Sequence, residues 1–204
     1  SHQTIIIGAH YDHVGRGEQG ASLDLLNPGQ IHNGADDNAS GSSALLEIAE
    51  ALATSPVRPR RTISFQWYSG EEMGLKGSRH YTANPLRPLD DTVLMINMDM
   101  IGRMIGRTLT VGGTGTAPTV LPELVAELCA EHGILLKEER VGAAPSDNAS
   151  FYLKGVPALF LFTGVHEDYH RSTDDVGKVN TDGAADVARL ALSLARAMDD
   201  RDRP

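Results

Sequence analysis

Five short polar clusters contain the side chains of this chain that could do chemistry, and each follows or interrupts an apolar segment. The clusters are residues 10–12, 34–38, 70–74, 97–99 and 169–173. They are rich in His, Asp and Glu, which bind metal ions and transfer protons. A hydrophobic strand that ends abruptly in such residues places them at the rim of a sheet. The clusters therefore predict a two-metal hydrolytic site at one sheet edge.

The first cluster follows the apolar residues 4–9. Side chains at positions i and i+2 of a strand share a face, so His10 and Asp12 point together while Tyr11 and His13 point away. A zinc-binding imidazole usually donates its second N–H to a carboxylate or a carbonyl. His10 is therefore a candidate ligand that Asp12 orients, although a surface His-Asp pair without metal is the commoner explanation when these two residues are taken alone.

The second and third clusters supply carboxylates at the ends of strands. Asp36 precedes a helix start rich in Ser and Gly, where it could bridge two cations or simply cap the helix. Glu71 and Glu72 lie between a strand and a short helix expected to begin at Met73. One of them could bind metal while the other takes a proton from water. The alternative is a surface pair stabilised by the helix dipole.

The last two clusters complete a set of metal ligands. Asp99 ends an apolar run and His170 lies in a polar loop, so a solvated strand end and an exposed loop histidine are the ordinary alternatives. The five candidates, two imidazoles and three carboxylates, are His10, Asp36, Glu72, Asp99 and His170. Three carboxylates and one hydroxide neutralise two Zn²⁺ ions, which lowers the cost of burying the cluster.

Taken together, the clusters resemble the di-zinc aminopeptidases of metallopeptidase family 28. The family's patterns are G-A-H-x-D, G-A-D-D-N-x-S-G, E-E-x-G-x-x-G-S, N-x-D-M and Y-H-x-x-x-D. They occur here in family order at residues 8–12, 34–41, 71–78, 97–100 and 169–174. One departure is Asn148, since residues 146–148 stand where many members read S-D-H.

The resemblance implies two Zn²⁺ ions per chain. It assigns Asp36 to both ions, His10 and Asp99 to one, and Glu72 and His170 to the other. It also implies a cis peptide bond between Asp36 and Asp37.

The resemblance further implies catalytic and substrate-binding roles. Glu71 would be the general base and acid, Asp12 would orient His10, and Tyr169 would hydrogen-bond the oxyanion. The substrates would be peptides with a free N-terminus. Carboxypeptidase or dipeptidase activity within the family, or a non-catalytic binding module with the same fold, are the alternatives.

The surrounding pattern predicts an α/β fold. Residues 4–9, 61–69, 92–98 and 157–162 read as buried strands, and residues 40–54, 122–132 and 182–198 read as helices. We expect a three-layer α/β/α sandwich with a mixed, mostly parallel central sheet, as in zinc exopeptidases. Members usually carry a helix and edge strands before the first of these strands, so we expect an N-terminally shortened domain with an open sheet edge.

One long segment carries no regular pattern. Residues 14–33 are polar and Gly-rich and predict a surface loop near the site. Within it, Leu23, Leu25 and Leu26 would pack or touch substrate.

Composition limits the class of protein. The 204 residues, 41% of them hydrophobic, suit a single domain over residues 1–204. A net charge of -9 argues against nucleic-acid binding. Cys129, the single cysteine, excludes an internal disulfide and a cysteine zinc cage, and it reads as a buried hydrophobe.

Location and assembly are less constrained by the sequence. No apolar run reaches transmembrane length, and the start has no signal-peptide pattern. The family resemblance favours a secreted or periplasmic protein, and the oligomeric state stays open.

Overall fold

Six strands form one mixed sheet in the computed structural model, which describes residues 2–18, 21–25, 28–142 and 144–201. The strands are Thr4–His10 (β1), Thr62–Tyr68 (β2), Thr92–Met98 (β3), Thr108–Gly112 (β4), Leu135–Glu139 (β5) and Ala158–Phe162 (β6). Their order across the sheet is β2-β1-β3-β6-β4-β5. Neighbouring strands are parallel except β4 and β6, which are antiparallel. The predicted mixed, mostly parallel sheet is confirmed.

In the described residues, four α-helices lie between strands and a fifth follows β6. They are Gly41–Thr54 (α1), Lys76–Ala83 (α2), Leu121–Glu131 (α3), Asn148–Tyr152 (α4) and Thr181–Asp200 (α5). Single 3-10 turns occur at Leu89–Asp91, Thr114–Thr116 and Val176–Lys178, and a distorted helical turn at Ala35–Ser40 leads into α1. The three predicted long helices are confirmed to within two residues at their ends. The short helix expected from Met73 begins later, at Lys76.

Alternate residues of the central strands are buried on opposite faces of the sheet. In β1, Ile5 and Ile7 belong to the large hydrophobic cluster built with α1, α3 and α5. Ile6 belongs to a smaller cluster with Phe151 of α4. Because helices cover both faces, the chain forms the three-layer sandwich that the sequence predicted. Cys129 lies in the larger cluster, where burial raises the pKa of its thiol to about 11.

The two edge strands differ from the central ones. β2 and β5 lie at opposite ends of the sheet, and β5 is largely exposed. The start of β2 is fixed to the end of α5, because the Asp199 carboxylate accepts the main-chain N–H groups of Arg60 at 2.8 Å and Arg61 at 2.6 Å.

The strand order creates the crevice that holds the polar clusters. From β1 the chain goes to β2 on one side, and then to β3 on the other side of β1. The carboxyl ends of these parallel strands meet at one sheet edge, where open α/β sheets generally bind ligands. Among the described residues, no helix is long and apolar enough to cross a lipid bilayer.

Candidate metal centre

The first group of ligand atoms lies at the ends of β1 and β3. Nε2 of His10 is 3.2 Å from Oδ1 of Asp99 and 3.3 Å from Oδ1 of Asp37. All three side chains are buried. Each strand is apolar up to its last residues, so these polar side chains emerge only where the strand leaves the core. Buried carboxylates in such contact are stable only with a cation or a proton nearby.

The second group joins the loop after β2 to the loop after β6. Nε2 of His170 is 2.9 Å from Oε2 of Glu72 and 3.2 Å from Oδ2 of Asp37. Nδ1 of His13 lies 2.9 Å from the other oxygen of Glu72. This group therefore offers nitrogen and oxygen ligands of the kinds that zinc prefers.

Asp37 contributes one carboxylate oxygen to each group. Its Oδ1 faces His10, and its Oδ2 faces His170. Although Oδ2 and the His170 Nε2 are buried and close, neither has a hydrogen-bond partner among the described residues. Converging ligand atoms that do not pair with each other are what a metal site needs. The residues present thus fit two cations that share one carboxylate.

The electrostatics of the cluster favour bound positive charge. Burial by itself lowers the pKa of His170, but Asp37 and Glu72 outweigh it and raise that pKa to about 10. The pKa of His10 is likewise raised, because Asp99 and Asp37 outweigh burial. Burial would raise the pKa of Asp37, yet the adjacent His10 and His170 imidazoles lower it. The carboxylates therefore attract positive charge, which protons or metal ions can supply.

The structure corrects the predicted position of Asp36. Its Oδ1 accepts the N–H of Gly102 at 2.5 Å, and its Oδ2 lies 3.1 Å from Nε2 of His166. Both carboxylate oxygens of Asp36 thus contact other partners. Asp37, and not Asp36, lies between the two groups of ligand atoms. The cis peptide bond is also one residue later than expected, between Asp37 and Asn38. At Asp37 the backbone leaves the helical conformation, with φ −107° and ψ 88°, so the two neighbouring carboxylates meet different partners.

Asp12 forms hydrogen bonds with His10 and Glu71 through different atoms. Its main-chain carbonyl accepts the Nδ1–H of His10 at 3.0 Å, while its carboxylate lies 3.9 Å from that nitrogen. The carboxylate instead accepts the main-chain N–H of Glu71 at 3.1 Å. The expectation that the Asp12 carboxylate orients His10 is corrected in this respect. Asp12 connects the proposed ligand to the proposed base.

Glu71 and Tyr169 lie beside the cluster. Burial, together with Asp99, outweighs the opposing effect of His10 and raises the pKa of Glu71 to about 9. The Tyr169 ring stacks on that of His170 with 3.8 Å between centroids. Burial and the carboxylates of the cluster raise the pKa of the Tyr169 phenol, so it keeps its proton and can donate a hydrogen bond.

Sequence reasoning missed several residues that support these groups. His13, expected to point away, contacts Glu72, because the chain has left β1 at that point and strand alternation no longer applies. Ser146 donates to Oδ2 of Asp99 at 2.7 Å and accepts from Asn97. Its place in the S-D-H stretch was the only signal for it.

The loop at residues 14–33 lies near the site as predicted. The carbonyl of Ala21 accepts the Nδ1–H of His170 at 2.8 Å, and the N–H of Leu23 binds the His170 carbonyl at 2.9 Å. The loop therefore helps to orient His170. Residues 19, 20, 26 and 27, and with them the expectation for Leu26, lie outside the described residues.

Comparison with known proteins identifies the family of this chain. The sequence model of peptidase family M28 matches residues 1–195. The chain belongs to peptidase family M28. A leucine aminopeptidase 1 of Sclerotinia sclerotiorum is 31% identical over 94% of this chain and 51% of its own length. A probable leucine aminopeptidase of Arthroderma otae is 28% identical over 96% of this chain and 54% of its own.

Solved structures of aminopeptidases share the fold. The LapA aminopeptidase of Legionella pneumophila has a TM-score of 0.78 at 26% identity, covering 98% of this chain and 52% of its own. BSAP, a zinc aminopeptidase from Bacillus subtilis, has a TM-score of 0.76 at 23% identity, covering 98% and 46%. The chain thus spans about half the length of the relatives it matches.

Proposed function

We propose that this M28 chain is the catalytic domain of a di-zinc aminopeptidase, which hydrolyses the first peptide bond of peptides with a free N-terminus. The observation that carries the proposal is the placement of Asp37, with one carboxylate oxygen in each of two groups of ligand atoms. The aminopeptidase activity, rather than carboxypeptidase activity, is supported by the names of its relatives.

The ligand atoms divide between two zinc positions. His10 and Asp99 would hold one ion, Glu72 and His170 the other, and Asp37 both. Bound zinc polarises a peptide carbonyl and makes water acidic near neutral pH. The imidazole orientation is set by the carbonyls of Asp12 and Ala21, which accept the second N–H of His10 and of His170. Such outer hydrogen bonds keep the metal-facing nitrogens in place.

Glu71 is the proposed proton carrier. Its main chain is held by Asp12, and the charges of His10 and Asp99 act on its carboxyl group. Burial favours the protonated form, whereas cations in the adjacent cluster favour the carboxylate. As water attacks the carbonyl carbon, Glu71 accepts one proton and returns it to the nitrogen that leaves when the C–N bond breaks. The Tyr169 phenol is placed to donate to the oxygen that becomes negative.

The first experiment measures initial rates on aminoacyl amides, free and N-acetylated, during zinc titration of chelated protein. Cleavage of free-amine substrates alone, saturating near two zinc ions per chain, is the expected result. Equal cleavage of the acetylated substrates would contradict amine recognition and favour a carboxypeptidase. Zinc binding without cleavage of any substrate would favour a non-catalytic module.

A substitution tests the base directly. Glu71→Gln is expected to lower kcat by at least the roughly 10²–10⁴-fold attributed to general acid-base catalysis, with two zinc ions retained. Glu127→Gln makes the same chemical change on the exposed face of α3 and should leave kcat and the number of bound zinc ions unchanged. Substantial activity of zinc-loaded Glu71→Gln would remove Glu71 from this role.

A further inference from the structure

Three segments that carry the proposed ligands meet at one arginine outside the cluster. Asp99 directly follows β3, Asp37 lies in the turn before α1, and His170 lies in the loop after β6. Arg103 follows Asp99 by four residues, and it lies in none of the motifs that carried the family resemblance. Its side chain is only 15% exposed.

The segment after β3 is attached to the Asp37 turn by its main chain. The N–H groups of Met100, Ile101 and Gly102 bind, respectively, Oδ1 of Asn38, the Ser40 hydroxyl and Oδ1 of Asp36. The approach requires glycine at 102, since a Cβ there would lie 2.8 Å from Oδ1 of Asp36. These bonds fix the position of the main chain directly before Arg103.

The Arg103 side chain then reaches two carboxylates of the His170 loop. Its Nη2 donates to Oδ1 of Asp174 at 3.1 Å and to Oδ2 of Asp168 at 3.0 Å. These acids flank His170 on both sides in sequence and are buried. A charged donor shared between two buried carboxylates restricts the loop that connects them.

Asp174 carries the connection back to Asp37. While its Oδ1 binds Arg103, its Oδ2 accepts the N–H of Asp36 at 2.9 Å and that of Asp37 at 3.1 Å. Its carbonyl also accepts the N–H of Ala35. Asp174 therefore binds the turn that carries Asp37 through one carboxylate oxygen and binds Arg103 through the other.

We propose that Arg103 is a positioning residue for the metal centre, holding the Asp37 turn and the His170 loop in register through Asp174 and Asp168. The inference rests on the proposed function, since it concerns how zinc is held. The hydrogen bonds of the Arg103 guanidinium go to Asp168 and Asp174, which are not proposed ligands, so Arg103 acts through these two acids. Substitution should weaken metal binding without removing any ligand.

The test compares Arg103→Met, Arg103→Lys and Arg107→Met in the full chain. Arg107 is a matched control, because it also pairs with an aspartate, Asp186 at 2.9 Å, but away from the cluster and 52% exposed. Zinc affinity and stoichiometry would be measured by calorimetry. The visible absorption of the Co²⁺-substituted protein would report ligand geometry, which a purely structural role would not change.

Arg103→Met is expected to weaken zinc binding by about 10–100-fold, as for other outer partners of metal ligands, and to alter the Co²⁺ spectrum. Arg103→Lys should restore part of the affinity, because a single nitrogen makes both contacts and an ammonium group can do the same. Arg107→Met should bind zinc as the wild type does.

The outcomes separate the two proposals. If the wild-type chain binds two zinc ions and Arg103→Met binds them equally well, Arg103 does not position the centre. An equal loss in Arg107→Met would also overturn the inference. If Arg103→Met does not fold, the neutral but polar Arg103→Gln takes its place, and zinc affinity and a Co²⁺ spectrum like those of the wild type there would overturn the inference. A wild-type chain that binds no zinc would refute the proposed function itself.

Discussion

Asp36 and Asp37 are neighbours in the sequence, yet their carboxylates contact different parts of the protein. Asp36 binds the Gly102 N–H and faces His166, whereas Asp37 lies between His10 and His170. Both are buried, so burial alone does not separate their roles. The backbone conformation at Asp37 separates their roles, because its non-helical torsion angles direct the two carboxylates toward different partners.

Substitutions at these two positions should therefore differ in effect. Asp37→Asn removes a charge that both groups share and should weaken zinc binding at both positions, by more than the roughly 10–100-fold seen when an outer partner is lost. Asp36→Asn is the control, because an amide oxygen can still accept the Gly102 N–H. Calorimetric titration with zinc measures the affinity of both variants. Equal losses, or a larger loss in Asp36→Asn, would restore the sequence-based assignment of Asp36.

At this scale the motifs identified residue types and segments better than individual atoms. His10 and Asp99 lie in one group of ligand atoms, and Glu72 and His170 lie in the other. The choice between two adjacent aspartates depended on backbone torsion angles. Both aspartates donate their main-chain N–H groups to the Asp174 carboxylate, which is more than a hundred residues away in the chain.

Among the elements, the long buried ones were predictable and the short exposed ones were not. β1 and β3 are buried along their whole length, so their continuous apolar runs indicated strands. β5 reads Leu-Leu-Lys-Glu-Glu and lies at an exposed edge. Its pairing with β4 is a tertiary contact that leaves little hydrophobic pattern. α4 has only five residues, too few to show a repeated helical pattern of hydrophobic residues.

One contact between elements has a measurable effect on stability. The Asp199 carboxylate, at the end of α5, satisfies the N–H groups of Arg60 and Arg61 before β2. Asp199→Ala leaves these donors without that acceptor and should lower the free energy of unfolding by about 1–3 kcal/mol. Urea denaturation measures the change. Asp200→Ala, on the exposed neighbour, is the control and should stay within about 0.5 kcal/mol of wild type.

For the whole molecule, the metal centre joins distant parts of the chain. The segments that carry His10, Asp37, Glu72, Asp99 and His170 come from β1, the turn before α1 and the loops after β2, β3 and β6. An ion that binds only when these segments are together stabilises the folded state by mass action. Under the proposed function, zinc would act on the stability of the fold as well as on its chemistry.

Zinc should accordingly raise the midpoint of thermal unfolding. At a free concentration of 100 times the dissociation constant, the stabilisation is about 2.7 kcal/mol. For a chain of this size that corresponds to roughly 5–10 °C. Differential scanning calorimetry with zinc and with chelator measures the shift, which Asp37→Asn should reduce. An unchanged midpoint would contradict a metal centre that connects these segments.

By itself, the sequence determined the fold class, the family and the segments that carry the chemistry. Hydrophobic periodicity and the ends of apolar runs are local properties, so they can be read without knowing the fold. Tertiary structure alone decided that Asp37 lies between His10 and His170, that His13 approaches Glu72, and that Arg103 contacts two acids of the His170 loop. These depend on backbone torsion angles and on contacts between residues far apart in the chain. No local pattern contains that information.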